Sequence, residues 1–119
     1  MKVFKPSQGL VDLTRTVIEC SFDKDKRKEL TRDHLEVLSA IVLRHFVFLP
    51  EQECDVLAQL YGVGGVDEKP LETISAELGI RFEDALEISG KALRHLIEAA
   101  KPDLIIAMYD IEQAAKEQS

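Results

Sequence analysis

The residues able to do covalent or metal chemistry are few, and their spacing does not suit it. His34, His45 and His95 have no partners three or four residues away that would form a metal set with the cysteines, and Cys20 and Cys54 lie too far apart for a metal or redox motif. No nucleophile elbow or HExxH helix occurs. Gly62-Val63-Gly64-Gly65 leads into acids, not into the Lys-Ser/Thr pair of a phosphate cradle. No enzymatic activity, cofactor or metal is expected. The chemistry that remains is recognition, and it concentrates in LETISAELGIRFEDALEISGKALRHL, residues 71–96. Arg81, Lys91 and Arg94 can meet a phosphate backbone. Phe82 and Leu86 stand one helical turn apart, and with Asp84 and Glu87 beside them they can meet a protein.

Positioning those side chains requires two helices and a tight turn. Leu71, Ile74 and Leu78 mark a short helix, Gly79 sits where a helix ends in a left-handed residue, and Ile80 plugs the turn. A long helix follows from Phe82 to Ala100, with Ala85, Ile88, Ala92, Leu93 and Leu96 on one face. Ile74, Leu78, Ala85 and Ile88 are expected to face inward across the turn. Pro102 is expected to stop the long helix. A last amphipathic helix over 103–117 would then carry Leu104, Ile105, Met108, Ile111 and Ala115, and it offers a homodimer interface.

Upstream, Leu10, Leu13, Val17 and Cys20 recur at helical spacing over 8–20. FDKDKRKE reads as a solvated turn, and its cluster Lys24, Lys26, Arg27 and Lys28 is a second candidate for phosphate contact. Thr31 offers an N-cap for a helix to about Phe48, with Leu35, Leu38, Ile41, Val42 and His45 on one face. Pro50 ends that helix and opens the next, 50–61, with Val56, Leu57 and Leu60 inward. YGVGGVDEKP is a loop.

With 119 residues the chain is one domain, in three parts: 1–48, 49–101 and 102–119. Trp is absent and aromatics make up only 6%, so Leu, Ile, Val and Ala must build the core, which favours about six helices packed on one another in an all-α fold. No apolar run approaches the ~20 residues of a membrane span, and no secretory pattern opens the chain. A cytoplasmic location with reduced, half-buried thiols is expected. Net charge is −7, and residues 51–101 hold eleven acids against five bases. That balance weighs against DNA binding, which draws most of its non-specific affinity from neutralising phosphates.

Residues 49–97, about two-fifths of the chain, resemble region 4 of the sigma-70 family. The resemblance rests on Leu49, Glu53, Val56, Leu57, Tyr61, Gly62, Leu71, Glu72, Ile74, Leu78, Gly79, Ala92, Leu93, Arg94 and Leu96, in order and spacing. It implies a helix-turn-helix whose second helix reads the promoter −35 element, with Glu83 as the acidic base reader that accepts from cytosine amino groups. It also implies that the helix around Val56, Leu57 and Leu60 rests on the RNA polymerase β-subunit flap. The departures fall on the readout. Phe82, Asp84, Leu86 and Glu87 stand where the family mostly has Arg, Arg, Arg and Gln. Pro70 replaces a common phosphate-binding Thr, and Gln52 a frequent Arg.

Two functions follow. One is a transcription regulator working with RNA polymerase core, with Arg81, Glu83, Lys91 and Arg94 as weak DNA contacts. The other is a protein-interaction module (an anti-sigma-like factor, adaptor or DNA mimic) that docks a sigma, anti-sigma or polymerase partner through Phe82, Asp84, Leu86, Glu87, Val56 and Leu60. Two plainer readings stand beside them. Phe82 and Leu86 would simply pack on the N-terminal helices, or the motif would be a coincidence in a helical assembly protein.

Overall fold

Hydrophobic spacing alone sets the order of elements, and a computed structural model, which describes residues 6–27 and 30–117 (Arg27 by its backbone only), shows how they pack. Among the described residues there are six helices and no strand. The fold is all-α. Helix α1, Gln8–Ser21, starts at Ser7, whose hydroxyl accepts the Leu10 N–H at 3.2 Å. It buries Leu10, Val11, Leu13, Thr14, Val17 and Ile18. Cys20, expected on that face, is exposed, because the buried arc ends at Ile18. The charged stretch after it, expected to be a turn, forms a one-turn helix α2, Lys24–Arg27. Lys28 of the basic cluster lies outside the described residues.

Helix α3, Arg32–Phe46, begins with a reciprocal cap. The Thr31 hydroxyl accepts the His34 N–H at 3.2 Å, and His34 Nδ1 accepts the Thr31 N–H at 3.1 Å. His34 thus takes the place usually held by Glu or Gln. Where α1 crosses α3, a buried polar pair is fully satisfied. Thr14 Oγ1 donates to Leu10 O at 2.8 Å, Ser39 Oγ donates to Leu35 O at 2.7 Å, and the two hydroxyl oxygens lie 3.0 Å apart.

Helix α4, Glu51–Tyr61, ends on Gly62 at φ 72°, and the loop returns to it through Lys69 N–H donating to Gln59 O at 2.8 Å. Val63 is the loop residue that enters the core. Helix α5, Leu71–Leu78, leads through Gly79 into α6, Phe82–Glu117.

Helix α6 overturns the expected break. Pro102 lies inside one continuous 36-residue helix. At ~1.5 Å per residue such a helix is about 54 Å long, which matches the longest extent of the molecule, 54 Å. Proline removes one intrahelical hydrogen bond, to the Glu98 carbonyl. The helix continues because both flanks are held from outside. Ala100, Leu104 and Met108 are buried in the core, and Asp103 is gripped by α3 through His45 Nε2 at 2.8 Å and Arg44 at 3.2 Å. Helix α6 is therefore the spine, with α1, α3, α4 and α5 packed along it. The separate helix expected over 103–117 is its second half.

Candidate functional site

The local sequence builds the turn between α5 and α6 tightly. Gly79 adopts φ 69°, a left-handed conformation that costs a residue with a Cβ about 1–2 kcal/mol. Its N–H donates to Ala76 O at 3.2 Å, and the Ile80 N–H donates to Ser75 O at 3.1 Å. That pair of bonds closes the helix end in a Schellman motif. The first backbone bond of α6 follows at once, Ala85 N–H to Arg81 O at 3.1 Å. Ile74 and Ala85 are fully buried across the turn, as their spacing requires. Ile80 and Ile88 are half-buried. Leu78, expected inward, is instead exposed at the rim, because α5 stops there and its last turn has no neighbour to cover it.

Two tethers hold this unit to the rest. Lys69 Nζ reaches both carboxylate oxygens of Glu77, at 3.2 and 3.0 Å, and so fixes the loop to α5. His95 Nδ1 donates to Glu53 Oε1 at 2.7 Å and joins α6 to α4. All three histidines thus have structural partners: the α3 cap, Asp103 and Glu53. Burial pushes the Cys54 thiol above its ordinary range, with the neighbouring Asp55 carboxylate adding to it, so it stays protonated.

The start of α6 is an apolar and acidic surface. Phe82 is 40% exposed and Leu86 is 54% exposed, so both stand at the surface, outside the hydrophobic core cluster. Glu83, Asp84 and Glu87 are exposed beside them. Glu83 and Asp84 occupy the first helical turn, where the positive end of the helix dipole favours carboxylates. The same acids engage the nearby cations. Arg81 Nε lies 3.7 Å from Asp84, and Lys91 Nζ lies 3.3 Å from Glu87. Both pairs sit at helical i,i+3 or i,i+4 spacing. Of the three expected phosphate contacts, only Arg94 lacks a carboxylate partner among the described residues.

The expected polymerase-facing helix is differently placed. Val56 and Leu57 are sealed in the core between α1, α5 and α6, so Val56 cannot be a docking residue as expected, and Leu60 is only half-buried. Burial won here because α4 packs on three other helices and has no apolar stripe left to share. A shallow groove between α4 and α5 carries Glu51, Gln52, Asp55 and Leu78, more acidic than apolar. Sequence reading also missed Phe48, which is 82% exposed in the turn before α4. Its signal was Pro50, which forces the chain out of α3 before Phe48 can turn inward. Comparison with protein-family models, curated proteins and solved structures gives no significant match. No helix of the described residues is long and apolar enough to cross a membrane.

Proposed function

We propose that the chain is a transcription regulator that works with the bacterial RNA polymerase machinery by protein contact, using the exposed opening of α6 where a promoter-reading helix would meet DNA. One observation carries this reading. The face that a region 4 module would turn to the major groove presents Phe82 and Leu86 between carboxylates, and its two nearest cations are held by those same carboxylates. Phosphates brought to this face meet repulsion from Glu83, Asp84 and Glu87. An apolar pair rimmed by acids suits a partner with an apolar knob and a basic surround. The placement in the polymerase machinery rests on the sequence resemblance. The displacement of DNA by protein rests on the surface.

The test is binding of the full chain, at low and physiological salt, to core RNA polymerase and to duplex DNA carrying a −35 element. Binding to polymerase that changes little with salt and is lost in Phe82→Ala/Leu86→Ala, with helicity retained, supports the proposal. DNA binding that falls steeply with salt and disappears when Arg81, Lys91 and Arg94 are replaced would overturn it in favour of promoter reading. Binding to neither target overturns the polymerase assignment. Glu83→Lys/Glu87→Lys gives the converse check: it should abolish the protein contact and create measurable DNA affinity.

A further inference from the structure

The second half of α6 carries an apolar stripe with no cover. Ile105, Ile106 at 62% and Tyr109 at 59% exposure stand in solvent, although Leu104 and Met108 beside them are buried. Ile105 and Tyr109, with Met108 beneath them, border a groove of about 360 Å³ between α6 and the end of α1 and start of α2. The far wall is Ser21, Phe22, Asp23 and Lys26, and along α6 the groove is bounded by Lys101 at one end and Glu112 at the other.

We infer that this groove is the interface of a two-fold homodimer in which α6 packs antiparallel on α6 of a second copy. The argument is the order of charge along the stripe. Lys101 lies before the apolar residues and Glu112 after them, about 16 Å further along the helix at ~1.5 Å per residue. Neither forms an ion pair among the described residues. An antiparallel two-fold axis midway between Ile106 and Ala107 sets Lys101 against Glu112 of the second copy, twice by symmetry. The same axis brings the exposed Ile105 side chains of the two copies close to each other, with Tyr109 alongside. A parallel arrangement would instead bring each charge against its own kind.

Charge balance also selects this face for self-association. The chain carries a net −7, so two copies repel unless the meeting surfaces are neutral. The groove offers two cations, Lys26 and Lys101, and two carboxylates, Asp23 and Glu112. Leu86, the nearer of the exposed pair, lies about 28 Å along the helix from Ile105, at ~1.5 Å per residue, so a dimer would still display both Phe82–Leu86 surfaces. The inference does not depend on what those surfaces bind.

The test is sedimentation of the full chain from low to high micromolar concentration. The wild type is expected to pass from monomer to dimer. Ile105→Glu, at an exposed position, should leave helicity intact and abolish the dimer. Lys101→Glu and Glu112→Lys should each weaken dimerisation about tenfold or more, because each sets like charges in contact twice. The double swap Lys101→Glu/Glu112→Lys should bring it back to near the wild-type value. A monomer throughout the range overturns the inference, and so does a dimer indifferent to Ile105→Glu. A dimer lost with Ile105→Glu but not rescued by the double swap refutes the antiparallel pairing.

Discussion

Replacing glycine by alanine should have opposite effects at two helical positions, and the difference measures how tightly α1 is seated on the end of α4. Gly90 lies exposed on α6 with nothing within 4 Å of where a Cβ would stand. Alanine there removes the backbone flexibility that makes glycine a poor helix former, a gain of about 1 kcal/mol. Gly9 lies in the first turn of α1, where its backbone rests against the C-terminal carbonyls of α4. A Cβ at Gly9 would stand 2.5 Å from the Gly62 oxygen and even closer to that of Tyr61. Ordinary contact begins near 3.4 Å, so about 1 Å of movement is required. The α4 end cannot supply it. Gly62 is fixed in a left-handed cap, and Val63 next to it is buried. Helix α1 must therefore shift, and it carries six buried residues with it. Overpacking of this kind costs about 1–3 kcal/mol. With a shift of roughly 4 °C per kcal/mol for a chain of this size, Gly9→Ala should lower Tm by about 8 °C, and Gly90→Ala should raise it by about 4 °C. Thermal unfolding followed by circular dichroism reads both. A Gly9→Ala protein as stable as the wild type would refute the close seating of α1 on α4.

Two further outcomes follow from α6. Pro102→Ala restores the hydrogen bond to the Glu98 carbonyl within a helix that is already continuous, and should raise stability by about 2 kcal/mol after the loss of proline's restriction of the unfolded chain; denaturant unfolding with an unchanged slope would show it, and no gain would mean that the helix already accommodates the ring without strain. Asp103→Asn tests the bond between α3 and α6. The His45 hydrogen bond first, and then Arg44, hold the Asp103 carboxyl below its ordinary 3.8. A carboxylate whose folded value is depressed contributes stability above its unfolded value and loses it as pH falls through the folded one. The variant should therefore be less stable than the wild type at neutral pH, and the two unfolding curves should converge as pH drops below 3.8. A gap that stays constant into acid would place the effect in packing instead of charge.

What the sequence determined by itself was local. The Thr31 cap, the Gly79 turn and the Leu10–Leu13–Val17 stripe are properties of a few neighbouring residues, and the structure keeps all three. The ion pairs Arg81–Asp84 and Lys91–Glu87 stand at helical spacing, but in sequence both cations read as phosphate contacts, and it is the structure that pairs them. The tertiary structure decided what depends on neighbours distant in sequence. Pro102 reads as a stop, yet the core around Ala100, Leu104 and Met108 and the grip of His45 on Asp103 carry the helix through it. Val56 and Leu78 look equally apolar in sequence. One is sealed and the other exposed, because α4 has helices on several sides and the last turn of α5 does not. The close approach at Gly9 likewise has no sequence signature, because it depends on where α4 ends in space. Periodicity shows that a helix has an apolar face; only packing decides which residues of that face are covered.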